Sequence, residues 1–552
     1  MPKFGQQEMS NAVNEYDEIN GINTNHTPAH LRLRTPQGSS NTVDHTRRDV
    51  DMTSFSMAPD IDLYSRVCTM SLGNRFYESD RESMGELVRL IGENTPEFVA
   101  KLAVYAREKM YLRQIPLILV VELAKIHRGD DLISRTIQRV VQRADEITEL
   151  LAYYQVSNSR DGQTKKLNKL SNQIKKGIRK VFESGRFDEY NYSKYNRGSN
   201  VRLRDALFLT HPKPQNKEQK SLFDKIASDT LEIPFTWETQ LSESGQTGQS
   251  KKIVWETLID SGKMGYMAML RNIRNFLKED VSMEHIKKVC STLSDRDMVL
   301  KSKQLPFRYL SAYRVLIGTN YGWGFENQIP DYITNSPYLD MILDTLETAI
   351  SYSVDNMPDF RDKNVLLSTD VSGSMISPIS PKSVVQGFDI GALMCMIADK
   401  AFKNSTTSIF GDDMMILESG GDKILNNVQE VYNEEGKVGY STNGWKVIDY
   451  ALQSEQSYDN IMIFTDCMLY GRTSGSRYID NHTVDELWSL YRNRYPQAKL
   501  YLFNLSSYGT TPVKMLNNGV FLISGFSDKI FDILHRVENG GTAMGEIMDT
   551  PL

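Results

Sequence analysis

Two short apolar runs that each end in an aspartate constrain this chain more than any other feature. Asn364-Val365-Leu366-Leu367-Ser368-Thr369 leads into Asp370, and Asn460-Ile461-Met462-Ile463-Phe464-Thr465 leads into Asp466. Apolar runs of this length, bounded by polar residues, read as buried strands. Lys499 to Leu505 and Gly519 to Ser524 are two more, and Thr407 to Phe410 followed by Met414 to Leu417 reads as a strand pair. Helix-like segments lie between them: Gly387 to Phe402, Trp445 to Leu452, Val484 to Tyr491 and Lys529 to Val537. Strands that alternate with helices predict a mostly parallel sheet covered on both faces, hence a doubly wound, Rossmann-like α/β domain over residues 361–552.

In such sheets ligands bind outside the carboxyl ends of the strands, where the strand order reverses. Asp370-Val371-Ser372-Gly373-Ser374 sets one carboxylate and two hydroxyls on the same side of a tight loop, and Asp466 stands at the end of the second run. A hard cation such as Mg²⁺ is held by oxygens in octahedral geometry and keeps several waters, so this donor set suits it. The same pattern alone also suits a loop with local Asx and Ser turns. Its place directly after a buried strand favours the metal.

The motif, the second aspartate and the strand spacing resemble the metal-ion-dependent adhesion site of von Willebrand factor A domains. The resemblance implies one more donor, a threonine from a loop between the aspartates. Thr442 in Gly439-Tyr440-Ser441-Thr442-Asn443-Gly444 matches it, although many relatives carry two glycines where this chain has Tyr440 and Ser441. It also implies Mg²⁺, with Mn²⁺ as an alternative, and an open coordination position that an acidic partner fills. No histidine lies near either aspartate in sequence, so a nucleophile with its base is missing there. Binding rather than hydrolysis is expected, with no catalytic residue.

The first part of the chain has a different texture. From Leu87 to Tyr154 apolar residues recur at helical spacing, as in Phe98, Leu102 and Tyr105, then Leu132, Ile133, Ile137, Val140 and Val141. Thr95-Pro96 predicts a helix start, and His127-Arg128-Gly129 a stop. Similar stretches run through Ile253 to Leu277, Met283 to Leu293, Phe307 to Ile317 and Tyr338 to Val354. Helix pairs of this length usually stack as a solenoid, which predicts a helical domain over 53–360. Residues 1–52 come before it as a flexible arm, because Asn11 to Arg48 is rich in Asn, Thr, Ser, Arg and His and lacks apolar periodicity.

No apolar stretch of about eighteen residues occurs and no secretory pattern opens the chain, so a cytoplasmic protein without a membrane partner is expected. Cys68, Cys290, Cys395 and Cys467 are far apart, and three of them sit among apolar neighbours as buried thiols do, so a structural role is expected rather than a zinc site or disulfides. Net charge is −6, yet Ser159 to Lys220 holds sixteen Lys and Arg against six Asp and Glu. Lys165, Lys166, Lys169, Lys175, Lys176, Arg179 and Lys180 recur at helical steps, a positive stripe that can meet phosphates. Tyr190, Tyr192 and Tyr195 follow, and rings near such a stripe can stack unpaired bases. The alternative is a solvated helix face with tyrosines packed beneath it.

A helical region followed by an A domain resembles the Ro autoantigen family, whose helical part is the TROVE module. Arg202-Leu203-Arg204-Asp205-Ala206-Leu207-Phe208-Leu209-Thr210-His211-Pro212-Lys213-Pro214, Met267-Ala268-Met269-Leu270-Arg271-Asn272-Ile273 and Leu305-Pro306-Phe307-Arg308-Tyr309-Leu310 carry the match. The resemblance implies an all-helical HEAT-like ring closed against the A domain. It implies further that misfolded RNA ends enter the ring and that a small Y RNA binds the rim through Lys175, Lys176, Arg179, Lys180, Arg204 and His211. Taken alone, His211 reads as a structural histidine in a loop fixed by Pro212 and Pro214. The expected function is a non-enzymatic, monomeric, RNA-binding protein in RNA quality control that bridges RNA to a nuclease such as an exoribonuclease. A metal-dependent protein-interaction scaffold without RNA is the alternative, and a metal-dependent hydrolase lacks its base.

Overall fold

The computed structural model describes residues 55–70, 80–158, 170–195, 201–321, 325–327, 329–355, 362–376, 378–379, 383–402, 404–418, 423–454, 456–470, 482–515, 518–525 and 529–552. The segment read as an arm, 1–52, and Lys165, Lys166 and Lys169 lie outside these residues. Packing divides the chain into two compact units. One comprises Met57–Pro234 with Gly541–Leu552, and the other Phe235–Gly540 with Met52–Ser56. The change from helices to strands after residue 360 is therefore not where the packing divides: Phe235 through Val354 pack with the sheet.

Among the described residues the first unit has helices and no strand. Thr95 caps Pro96–Glu108 by accepting from the Phe98 N–H at 3.3 Å, with Pro96 in the first turn where its missing N–H costs nothing. Gln114–Ile126 stops where His127 turns extended and Gly129 takes φ +110°. Arg107 and Glu146, both buried, pair at 2.8 Å, and Glu146 also accepts from the Gln142 and Arg143 N–H groups. A buried charge satisfied on all sides avoids the penalty of an unpaired one. Leu132–Val140 and Asn172–Glu183 meet at Gly177, where a Cβ would lie 2.8 Å from Ile137 Cβ. Only glycine lets these two helices touch without displacing a core side chain.

The second unit begins with helices. The stretch read as Ile253 to Leu277 is two of them, Lys251–Asp260 and Tyr266–Lys278, because Gly262 turns to φ +62°. Met283–Leu293, Pro306–Ile317 and Leu339–Ser353 follow the sequence reading. The sheet then builds from β1 (Asn364–Asp370), β2 (Asn404–Phe410), β3 (Met414–Leu417), β4 (Asn460–Thr465), β5 (Lys499–Asn504) and β6 (Val520–Ser524). Their order across the sheet is β6-β5-β4-β1-β2-β3, parallel except for the edge strand β3. The chain runs from β1 to β2 on one side and later returns to β4 on the other, so the order reverses between β1 and β4. Those two strands are hydrogen-bonded neighbours, with Thr369 opposite Phe464. All four cysteines are free and buried, and among the described residues no helix is long and apolar enough to cross a membrane.

Polar contacts lock the helices of this unit to its sheet layer. The Arg314 guanidinium of Pro306–Ile317 donates to Asp389 Oδ1 at 2.7 and 3.1 Å, and neither side chain meets solvent. Arg314 also lies over the Tyr432 ring at 4.6 Å. Glu347 of Leu339–Ser353 accepts from the Leu425 and Asn426 N–H groups, capping Ile424–Glu434 where the helix dipole favours a carboxylate. Glu435 sits near this cluster, and burial together with the Asp389 charge pushes its carboxyl up to about 7. The folded state thus holds that proton more tightly, so the stability this gives is complete below the ordinary value of 4.5 and is lost as pH rises through about 7. Glu435→Gln should stabilise the protein by on the order of 1 kcal/mol at about pH 8 and leave it unchanged at about pH 4. Urea unfolding at the two pH values measures this, and equal effects at both would contradict it.

Candidate functional site

The reversal between β1 and β4 brings the two aspartates to one edge. Asp370 ends β1 and Asp466 follows β4, and both are buried with Ser372, Ser374 and Thr442. Asp370 Oδ1 accepts from the Ser372 N–H at 2.9 Å and its Oδ2 from the Thr465 hydroxyl at 2.6 Å. The Ser372 and Ser374 hydroxyls stand 3.3 Å apart. Asp466 Oδ1 accepts from the Met468 N–H at 2.9 Å, while Asp466 Oδ2 and Thr442 Oγ1 are buried with no hydrogen-bond partner among the described residues. Burial raises both carboxyls, and at Asp370 the charge of Asp466 adds to the rise.

The loop that carries Thr442 is held by its backbone. Gly373 N–H donates to the Tyr440 carbonyl at 2.9 Å, Asn443 N–H to the Gly411 carbonyl at 3.1 Å and Tyr470 N–H to the Thr442 carbonyl at 3.0 Å. Gly411 is required here, since a Cβ would fall on the Gly439 carbonyl. Tyr440 and Ser441 in place of two glycines therefore leave the Thr442 hydroxyl buried at the edge. Two carboxylates and three hydroxyls, with two orphaned oxygens and like charges side by side, fit a hard divalent cation. Among the described residues no group of three or more His, Cys, Asp or Glu could hold a metal ion, so a cation at this edge would need the hydroxyls among its donors.

The basic residues lie in the first unit. Asn172–Glu183 buries Ile174, Gly177, Ile178 and Val181, exposes Lys176 and Lys180, and leaves Lys175 and Arg179 partly exposed. Arg179 Nε donates to the Thr210 carbonyl at 2.7 Å, which ties this helix to the end of Leu203–Thr210. His211, next in the chain, is exposed and ends that helix in the left-handed conformation at φ 48°. Arg204 lies on the same helix, so Arg179, Arg204 and His211 come from two helices fixed to each other. The three tyrosines behave differently from one another. Tyr192 is core, stacked on Phe182 at 5.8 Å, while Tyr190 is exposed and Tyr195 lies under the Arg143 guanidinium at 4.6 Å. Tyr192 therefore cannot stack a base.

The matches to known families cross from the first unit into the second. The TROVE domain family matches residues 57–230 and 227–317, and the Ro60 vWA domain family matches residues 364–537. The chain belongs to the TROVE proteins that carry a Ro60-type A domain. The crystal structure of the Deinococcus radiodurans RO (RSR) protein resembles it with a TM-score of 0.56 at 15% identity, over 87% of this chain and 100% of that one, a likeness of fold. Telomerase protein component 1 of Rattus norvegicus is 25% identical over 311 residues, 42% of this chain, and that of Mus musculus is 25% identical over 313 residues, again 42%. The chain spans 12% of the length of either relative.

In this TROVE protein two side chains at the sites escaped sequence reasoning. Thr465 orients Asp370, and its signal was its place directly before the second aspartate at the end of an adjacent strand. Phe208 is exposed beside Arg204, and its signal was helical spacing within the Arg202 to Pro214 stretch. A cation at the sheet edge should stabilise the fold by about 2 to 3 kcal/mol when Mg²⁺ exceeds its dissociation constant about a hundredfold. Calorimetry should register Mg²⁺ binding and a raised melting temperature in the wild type, and neither in Asp370→Ala. A wild type indifferent to both Mg²⁺ and Mn²⁺ would rule the cation out.

Proposed function

We propose that this TROVE protein is a non-enzymatic, monomeric, cytoplasmic RNA-binding protein. Its ligands are a small structured RNA of the Y type and the ends of misfolded noncoding RNA, which it presents to an exoribonuclease. Membership of the TROVE family supports an RNA-binding role, and the relation to two telomerase protein components favours it as well. The observation that carries the reading is the cationic surface of Asn172–Glu183 and Leu203–Thr210. Lys176 and Lys180 are free to meet phosphates, and Arg179 is pre-positioned by its bond to Thr210.

The sheet edge has a separate task. Asp370, Ser372, Ser374, Thr442 and Asp466 would hold Mg²⁺ or Mn²⁺, and the bound cation supplies an attachment point for the carboxylate of an acidic protein partner. Such a partner would join the RNA-bearing unit to other machinery.

Replacing Lys175, Lys176, Arg179 and Lys180 by alanine should weaken RNA binding, each lost phosphate contact flattening the slope of log affinity against log salt by about 0.7 to 0.9. Asp370→Ala should keep the wild-type affinity and slope. Filter binding across a salt series reads both variants. An unchanged slope in the first would refute the basic surface, and a large loss in a folded Asp370→Ala protein would mean that RNA contacts the sheet edge.

A further inference from the structure

The helix Leu203–Thr210 buries Leu203, Ala206, Leu207 and Thr210 and turns its other side outward. On that outer side Arg204 and Phe208 stand four residues apart, which sets them in one row, and His211 follows as the left-handed cap of the helix. Phe208 is 51% exposed. The Arg204 guanidinium carbon lies 6.0 Å from the centre of its ring. A lone exposed apolar residue needs no explanation. An exposed ring beside a guanidinium, on a helix tied through the Arg179 bond to Thr210 to the helix that carries Lys176 and Lys180, is a different arrangement.

Resting on the RNA-binding reading above, we propose that Phe208 is a stacking platform for one unpaired base of the bound RNA, with Arg204 beside it. The chemistry is general. A base and a phenyl ring stack face to face without regard to sequence, and a guanidinium beside them neutralises a phosphate. A paired base is stacked inside its helix and cannot reach the ring, so the platform selects RNA that has an unpaired nucleotide next to the phosphates held by the basic surface. The platform thus adds what the lysines lack, since phosphate contacts do not touch the bases.

The Arg204 and Phe208 pair could instead serve only the helix, where contacts at this spacing contribute slightly to its stability. Phe208→Leu separates the two roles, because leucine keeps an apolar side chain and a helical backbone while removing the π face. Two probes are used with the full chain: single-stranded oligoadenylate and a blunt RNA duplex of the same length. Phe208→Leu should bind oligoadenylate about five- to a hundredfold more weakly with an unchanged salt slope, and should bind the duplex as the wild type does. In Phe208→Trp the affinity for oligoadenylate should be kept, and the tryptophan fluorescence should be quenched by oligoadenylate but not by the duplex. Wild-type affinity of Phe208→Leu for oligoadenylate, equal losses on both probes, or an unquenched Phe208→Trp would overturn the platform while leaving the basic surface standing. A wild type that binds neither probe in a salt-dependent way would overturn the RNA-binding reading and the platform with it.

Discussion

Two carboxylates that share the end of one pair of parallel strands govern the second unit. The β1 and β4 ladder fixes the separation of Asp370 and Asp466, and burial denies them the water that would screen their repulsion. Everything nearby is arranged around that difficulty. Thr465 and the Ser372 N–H satisfy Asp370, Met468 N–H satisfies half of Asp466, and the loop through Tyr440 brings up a hydroxyl that has no hydrogen-bond partner among the described residues. A site built in this way is costly as bare protein and is relieved by positive charge.

In the same unit helices that precede the sheet in sequence pack with it. Arg314 and Asp389, both withdrawn from solvent, would each be a severe liability if separated, so the helix Pro306–Ile317 and the helix Gly387–Ala401 must stay together. Glu347 makes a second tie by filling the N-terminus of Ile424–Glu434. Helices that look like the continuation of a solenoid are thereby part of the sheet's own packing.

Much of the fold could be read in advance because the apolar patterns are strong. The strands β1 and β4 fall where the two aspartate-terminated runs lie, and Gly387–Ala401 and Trp445–Gln453 fall between strands as expected. Local chemistry was legible too, as at the Thr95 cap. Long-range contacts were not. Nothing in the sequence indicates that Arg314 will meet Asp389, or that Gly411 must be glycine to admit the loop of Thr442. The meeting of Asp370 and Asp466 at one sheet edge was readable because the topology of a doubly wound sheet dictates where strand ends meet, whereas Thr442 came from the resemblance to A domains. The basic surface was readable as charge, but its geometry depends on Arg179 reaching Thr210, and Tyr192 turned out to serve the core.

The two units therefore present different chemistry: cations and an exposed ring in one, oxygen donors in the other. RNA suits the first and a divalent cation with an acidic partner suits the second. Ultraviolet crosslinking of the full chain to RNA in its own cells, followed by mass spectrometry of the crosslinked peptides, tests this division most directly. Crosslinks should fall within Asn172–Glu183 and the Arg202 to Pro214 stretch. A protein that carries no RNA, or crosslinks confined to peptides containing Asp370 or Asp466, would contradict it.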